Sequence, residues 1–233
     1  MKRDRPIVHI DGDATGQITI GDDATQIQQA TPVRASKQRI TVLLWAANPT
    51  DTSQLRLDEE VRTIDERLIA AGQGDRFDLQ QQWAVRYTDL SQGLLRYEPH
   101  ILHFSGHGNP TGTIVLEDDD GTAREVAVDA VANLVALAGD RLSCVVLNAC
   151  YSERQAIALA THVDCVVGTS TAIGDAAAIS FTAGFYRAIG YGRSVQNAFD
   201  LGRNEMELAS LGEADTPRLH VRPGVDASGV HIG

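Results

Sequence analysis

Apolar and polar positions follow two rhythms from residue 39 onward, and each rhythm predicts one kind of element. Short apolar runs predict strands over residues 40–46, 77–87, 101–104, 142–147, 163–167 and 219–221. Apolar residues at helical spacing predict helices over residues 55–71, 88–97, 129–138, 153–161, 175–189 and 194–211. Residues 113–116 and 123–126 flank an Asp-Gly turn and predict a hairpin. Because strand and helix alternate, we expect an α/β fold with a mainly parallel six-stranded sheet and helices on both faces.

Residues 1–38 differ in character from the rest of the chain. They contain glycines, aspartates and glutamines, with short β-prone pieces at residues 7–10 and 18–20 and no helical periodicity. Residues 31–38 are polar, include Pro32 and are typical of a linker. We therefore predict two parts: an N-terminal β-prone segment with its linker over residues 1–38, and the α/β domain over residues 39–233.

Two of the predicted strands end at residues that carry chemistry. His107 lies just past the predicted strand 101–104, in the run His100-Ile-Leu-His-Phe-Ser-Gly-His-Gly108. Cys150 lies just past the predicted strand 142–147, in the run Val145-Val-Leu-Asn-Ala-Cys150. In a parallel α/β sheet, functional residues lie at the carboxyl ends of the strands, so both tips are expected at one edge. An imidazole there can take the proton of a thiol and make it a nucleophile. The pattern predicts a catalytic pair of His107 and Cys150.

Neighbouring residues have predicted roles beside this pair. The backbone amides of Gly108 and Cys150 are candidate donors to a developing oxyanion. Asn148 is expected to orient its loop, and His103 is a candidate supporting residue. A loop histidine and a cysteine after a strand also occur without any chemistry, so the residues alone leave that alternative open.

The composition excludes several classes of partner. Twenty lysines and arginines stand against thirty-one aspartates and glutamates, for a formal net charge of −11. An acidic chain is unsuited to nucleic acid or to anionic membranes, and no apolar run is long enough to span a bilayer. The three cysteines, two of them inside apolar runs, are not typical of a disulfide framework, and no signal peptide is evident, so we expect a cytoplasmic location.

We also expect neither a metal ion nor a cofactor. No cysteine and histidine spacing matches a zinc site, and no glycine-rich phosphate loop is present. The acidic run at residues 117–120 could suggest calcium, but Gly121 and the flanking β-prone residues favour a turn.

The motifs at the two strand ends resemble those of a known family. Phe104-Ser-Gly-His-Gly108 and Leu147-Asn-Ala-Cys-Tyr-Ser152 resemble the CHAT domain, a caspase-like family of the clan of metacaspases and separase. The similarity extends over about residues 39–211 and includes Trp45-Ala-Ala-Asn-Pro49, Leu57-Asp-Glu-Glu-Val-Arg62 and Val166-Val-Gly168. It implies a caspase-hemoglobinase-like sandwich, a His107–Cys150 peptidase dyad and a protein substrate.

The resemblance also bears on specificity. In related peptidases an acidic residue after the fifth strand can hold a basic side chain at P1, the substrate residue before the cleaved bond. Asp175 is the best-placed carboxylate for this role, and we expect it to bind arginine or lysine. An equally natural role for Asp175 is to cap the helix that begins there.

Residues 7–28 resemble the short amyloid signalling motifs that precede effector domains in bacteria. Gly12, Gly16 and Gly21 separate β-prone pieces, and glutamines lie at positions 17, 26 and 28. Copies stacked in register would form side-chain ladders, although stacked aspartates would repel. A like motif on a sensor or receptor protein would then template a homo-oligomer or filament. An ordered hairpin and a disordered tail remain alternatives.

Two functions follow from the resemblance. The first is a cysteine endopeptidase effector, latent until a partner binds or the N-terminal segment assembles, in bacterial defence or programmed cell death. The alternative is a catalytically silent adaptor that signals through polymerisation of residues 1–38.

Overall fold

The computed structural model describes residues 39–233, and the predictions for residues 1–38 lie outside the described residues. The strands are β1 (Ile40–Ala46), β2 (Phe77–Trp83), β3 (Ile101–Ser105), β4 (His107–Gly108), β5 (Ile114–Glu117), β6 (Ala123–Val126), β7 (Cys144–Asn148), β8 (Cys165–Thr169) and β9 (Pro217–Val221). The α-helices are α1 (Leu57–Leu68), α2 (Tyr87–Tyr97), α3 (Val128–Ala136), α4 (Glu153–Leu159), α5 (Asp175–Gly190) and α6 (Val195–Leu208).

Six of these strands form the central sheet, in the order β2-β1-β3-β7-β8-β9. All neighbours are parallel except β9, which runs antiparallel to β8. The mainly parallel six-stranded sheet predicted from the alternation of elements is therefore confirmed. Strands β4, β5 and β6 form a separate three-stranded antiparallel sheet, which contains the predicted hairpin.

Helices cover both faces of the central sheet, as predicted. Along β1, Val42 and Leu44 pack with the buried side chains of α1, α5 and α6. The alternate residues Leu43 and Trp45 pack with those of α2, α3 and α4. Successive strand residues point to opposite faces, so a strand covered on both faces is apolar at every position. This explains the continuous apolar runs in the sequence.

Several elements differ in extent from the prediction. Strand β2 ends at Trp83 rather than near residue 87, and the next residue, Ala84, has a φ of 52° that turns the chain out of the strand. Helix α1 ends at Leu68 and passes into a π-helical turn, Ile69–Gln73, in which Gly72 has a φ of 70°. Residues 107–108, predicted as a loop, pair with β5.

Candidate active site

The ends of β3 and β7 bring His107 and Cys150 to one edge of the sheet. Ser105 and Asn148, the last residues of the two strands, are register partners in the parallel ladder. His107 and Cys150 each follow two residues later, and both side chains line the same cleft. The cleft has a volume of about 40 Å³. This volume is enough for a few water molecules.

The His107 ring is oriented by a backbone carbonyl group. Its Nε2 lies 2.8 Å from the carbonyl oxygen of Ser53, in the segment that precedes α1. A carbonyl oxygen only accepts hydrogen bonds, so Nε2 carries the proton and donates it. In the neutral ring, Nδ1 then keeps its lone pair and is the atom that can accept a proton.

The Cys150 thiol is the most accessible of the three in the described residues. Cys150 is half-buried, whereas Cys144 and Cys165 are buried within strands. Burial raises the pKa of Cys144 well above its usual value and that of Cys165 to about 12. Both buried thiols are therefore protonated at neutral pH and unsuited to nucleophilic chemistry.

Neither member of the pair is engaged with the other in this structure. The Cys150 sulfur lies 3.8 Å from the carbonyl oxygen of Ile173. Among the hydrogen bonds of residues 39–233, none joins this thiol to the His107 ring. Catalytic hydrogen bonds often tighten only when substrate binds, so this arrangement is compatible with a dyad.

The backbone around the two residues is tightly folded. Tyr151, directly after Cys150, has a φ of 56°, which is unusual for a residue with a side chain, and its amide donates to the Thr171 carbonyl oxygen at 3.1 Å. A Cβ atom on Gly108 would lie 2.1 Å from the carbonyl oxygen of Cys150. Only glycine therefore fits at position 108 without displacing the backbone of Cys150.

The backbone amides of Gly108 and Cys150, the two predicted oxyanion donors, make no backbone hydrogen bond to a strand of the small sheet. The Asn109 amide donates to the Thr113 carbonyl oxygen at 3.2 Å. In an antiparallel ladder, hydrogen-bonded and non-hydrogen-bonded residue pairs alternate. The adjacent Gly108–Ile114 pair is therefore a non-hydrogen-bonded one, and the Gly108 amide points away from β5. The Cys150 amide has no backbone acceptor among the described residues. Cys150 lines the cleft, whereas Gly108 is not among the residues that line it and lies against the backbone of Cys150.

A buried carboxylate that the sequence analysis missed lies beneath the pair. Glu60 on α1 is 3% exposed and forms the floor of the cleft. It accepts hydrogen bonds from the side chains of Ser105, Asn148 and Thr182, and its Oε1 lies 3.0 Å from Nε2 of His103. The sequence held one signal: Glu60 falls on the apolar stripe of α1, between Leu57 and Ile64.

These contacts decide the charge of Glu60. Burial alone would raise the pKa of this carboxyl group. Hydrogen bonds and charge attraction from His103, followed by the hydrogen bonds from Ser105 and Asn148, outweigh burial and hold the pKa below its ordinary value of 4.5. Glu60 is therefore ionised at neutral pH.

The predicted supporting residues belong to this buried network. His103 is fully buried on β3, and its Nδ1 lies 3.1 Å from the Tyr186 hydroxyl group of α5. It does not line the cleft. Asn148 does line the cleft. Its side-chain amide was expected to bond to the backbone of its own loop, but it donates to Glu60 and Thr182 instead.

Asp175 lines the rim of the cleft as the first residue of α5. The N-cap position is Gly174, and no side chain caps the helix. The Asp175 carboxylate instead pairs with Arg56, whose Nε lies 2.6 Å from Oδ2. Arg56 immediately precedes α1, and its side chain is about half exposed (52%).

Residues 39–233 contain no group of three or more histidine, cysteine or acidic side chains arranged to hold a metal ion. None of their helices is long and apolar enough to cross a membrane.

Comparison with known proteins agrees with the resemblance of the motifs. A family model described as the CHAT domain matches residues 9–210. A Roc-COR-CHAT protease from an unknown prokaryotic organism is 25% identical over 186 residues, which cover 77% of this chain and 17% of that protein. This chain thus spans about a sixth of that relative.

Solved structures share the fold at low identity. Caspase-1 from Spodoptera frugiperda matches with a TM-score of 0.52 and 9% identity, over 80% of this chain and 88% of that one. The RgpB pro- and mature domain complex of Porphyromonas gingivalis matches with a TM-score of 0.52 and 9% identity, over 84% of this chain and 49% of that one. The domain has a caspase-like protease fold, and the chain belongs to the CHAT domain family.

Proposed function

We propose that the chain is a cysteine endopeptidase that cleaves a protein substrate with His107 as base and Cys150 as nucleophile. One observation carries the proposal: the imidazole and the most accessible thiol line one cleft at the ends of paired strands. The caspase-like fold supports it, as does the Roc-COR-CHAT protease to which the chain is similar.

The proposed reaction uses these groups in order. Nδ1 of His107 takes the Cys150 proton, and the thiolate attacks the substrate carbonyl carbon. The Gly108 and Cys150 amides stabilise the oxyanion that forms. The intermediate collapses to a thioester as the amide C–N bond breaks, and the imidazolium gives its proton to the leaving amine. Water, deprotonated by the same ring, then hydrolyses the thioester and restores the thiol.

An activity-based probe tests this assignment. We expect an acyloxymethyl-ketone peptide to label Cys150 in the activated wild-type protein, and labelling to be lost in His107→Ala and Cys150→Ser. His162→Ala removes an exposed histidine elsewhere and serves as the control. A wild-type protein that stays unlabelled, alone and with its activating partner, would favour the adaptor function instead.

Asp175 is proposed to select a basic P1 residue. Arginine and lysine combine an aliphatic stem with a cation, which suits a cleft with the apolar walls Leu55, Leu57 and Ile173 and a carboxylate at its rim. Arg56 already occupies that carboxylate, so the substrate must displace it. We expect Arg56→Ala to lower KM for P1-arginine peptides by a few-fold, since exposed ion pairs are weak. Asp175→Ala with unchanged P1 preference on a peptide library would contradict this role.

The proposal includes latency. The cleft, at about 40 Å³, is smaller than the usual ligand pocket, and we propose that its walls separate before a substrate binds. We propose that a partner protein, or assembly through residues 1–38, drives this opening by raising the local concentration of domains. Replacing residues 1–38 with an inducible dimerisation module should raise peptide cleavage when the inducer is added, and an unchanged rate would contradict activation by proximity.

The N-terminal segment is proposed to bind a sensor or receptor protein and to form homo-oligomers or filaments. The family resemblance makes bacterial defence or programmed cell death the proposed setting. A synthetic peptide of residues 1–38 should form β-rich assemblies that seed one another. A peptide that stays monomeric even with seeds of the sensor motif would contradict this.

A further inference from the structure

The ends of β3 and β7 are joined to each other through Glu60 rather than through the backbone ladder alone. Ser105, the last residue of β3, donates its hydroxyl group to Oε2. Asn148, the last residue of β7, donates its side-chain amide to Oε1. One carboxylate thus receives a bond from each strand at the paired position directly before the segments that carry His107 and Cys150.

The carboxylate is itself held from the other side. Thr182 of α5 donates to Oε1 at 2.9 Å, and Nε2 of His103 lies 3.0 Å from the same oxygen. Glu60, His103, Ser105, Asn148 and Thr182 are all at least nine-tenths buried. A buried charge is retained only when its partners satisfy it, and a fully satisfied network has few alternative arrangements.

We propose that Glu60 is a positioning residue, whose carboxylate holds the two strand ends at the separation that His107 and Cys150 need. This inference rests on the proposed function, because the separation matters for proton transfer between the pair. Among the described residues, Glu60 has no hydrogen bond to either side chain and acts through Ser105 and Asn148. Orientation errors of about 1 Å in such sites cost on the order of 100-fold in rate.

Glu60→Gln is the sharpest variant, because glutamine keeps the shape of the side chain. The four donors need both carboxylate oxygens: three bond to Oε1, and Ser105 bonds to Oε2. An amide has one oxygen, so the variant can keep at most the three hydrogen bonds that Oε1 accepts. The bond from Ser105 is lost, or the new amide nitrogen donates to the Ser105 hydroxyl oxygen instead. Ser105→Ala removes the same bond without changing the charge and should reproduce the effect.

The kinetic test separates positioning from folding. We expect kcat per active site, counted with the covalent probe, to fall by at least about ten-fold in Glu60→Gln, with KM within about two-fold of wild type. Glu66→Gln makes the same chemical change at an exposed position of the same helix and should leave both constants unchanged. A kcat at the wild-type value per titrated site, with only a lowered melting temperature, would overturn the proposal.

A second measurement does not depend on peptidase activity. The rate at which iodoacetamide alkylates Cys150 at neutral pH reports how well the histidine activates the thiol. We expect this rate to fall in His107→Ala and to fall similarly in Glu60→Gln. If no peptide is cleaved but this dependence holds, the proposed function fails and the positioning role stands. If His107→Ala slows alkylation and Glu60→Gln does not, the positioning role fails.

Discussion

Substitution of Gly108 by alanine tests the closest contact in the candidate active site. The added Cβ would lie 2.1 Å from the Cys150 carbonyl oxygen, where a normal contact is no shorter than 3.0 Å. The two backbone segments must therefore separate by about 1 Å, because repulsion at this distance far exceeds the strength of any single packing contact. A displacement of that size at a nucleophile costs about 100-fold in rate, which corresponds to about 2.7 kcal/mol of transition-state free energy.

The assay is kcat/KM for a peptide substrate of the activated protein, with active sites counted by the covalent probe and folding followed by circular dichroism. We expect kcat/KM of Gly108→Ala to fall by about 100-fold. Gly74→Ala is the matched control, because that glycine has a φ of −52° and the nearest atom to an added Cβ lies at 3.6 Å. A folded Gly108→Ala protein within about three-fold of wild type would refute the reasoning, since the chain would have absorbed the clash elsewhere.

Two further predictions concern the thiols and the buried carboxylate. Iodoacetamide should modify Cys150 alone in the native protein at pH 7, because the pKa values of Cys144 and Cys165 are raised by burial; native mass spectrometry that finds two modified thiols would contradict this. Glu60 has a folded pKa below its ordinary value of 4.5, so its interactions stabilise the fold above that pH and are lost as pH falls through the folded pKa. The urea-unfolding free energy should therefore fall more steeply below pH 4.5 in wild type than in Glu60→Gln, and equal slopes would show that Glu60 carries no such linkage.

Most of the elements predicted from periodicity are present, because the pattern that marks each element lies within a short stretch of sequence. A strand covered on both faces needs an apolar residue at every position, and a helix on one face needs an apolar stripe, so each pattern is written in a short window. Element ends were predicted less well. Strand β2 stops at Trp83 because Ala84 adopts a positive φ, and nothing in the residue type indicates that conformation.

The candidate site was predicted in part for the same reason. His107 and Cys150 stand directly after apolar runs, so topology was enough to expect them at one edge of the sheet. Glu60 was not predicted as a site residue because most residues of α1 are polar, and a further glutamate in such a helix is normally exposed to solvent. The apolar stripe of α1 marks the face that is buried, but the partners that hold Glu60 there, Ser105, Asn148 and Thr182, come from distant parts of the chain.

The sequence by itself determined the α/β architecture, the membership of the CHAT domain family and the two strand ends at which a histidine and a cysteine occur. Tertiary structure alone decided which groups meet around them. Ser53 lies 54 residues from His107 along the chain, and Glu60 lies 45 residues from Ser105 and 88 from Asn148. Periodicity predicts which face of one element is buried. These contacts depend instead on how the segment before α1 and the helix itself pack against the sheet. The sequence thus indicated where chemistry could occur, and the packing of α1 onto the strand ends supplied the groups that orient it.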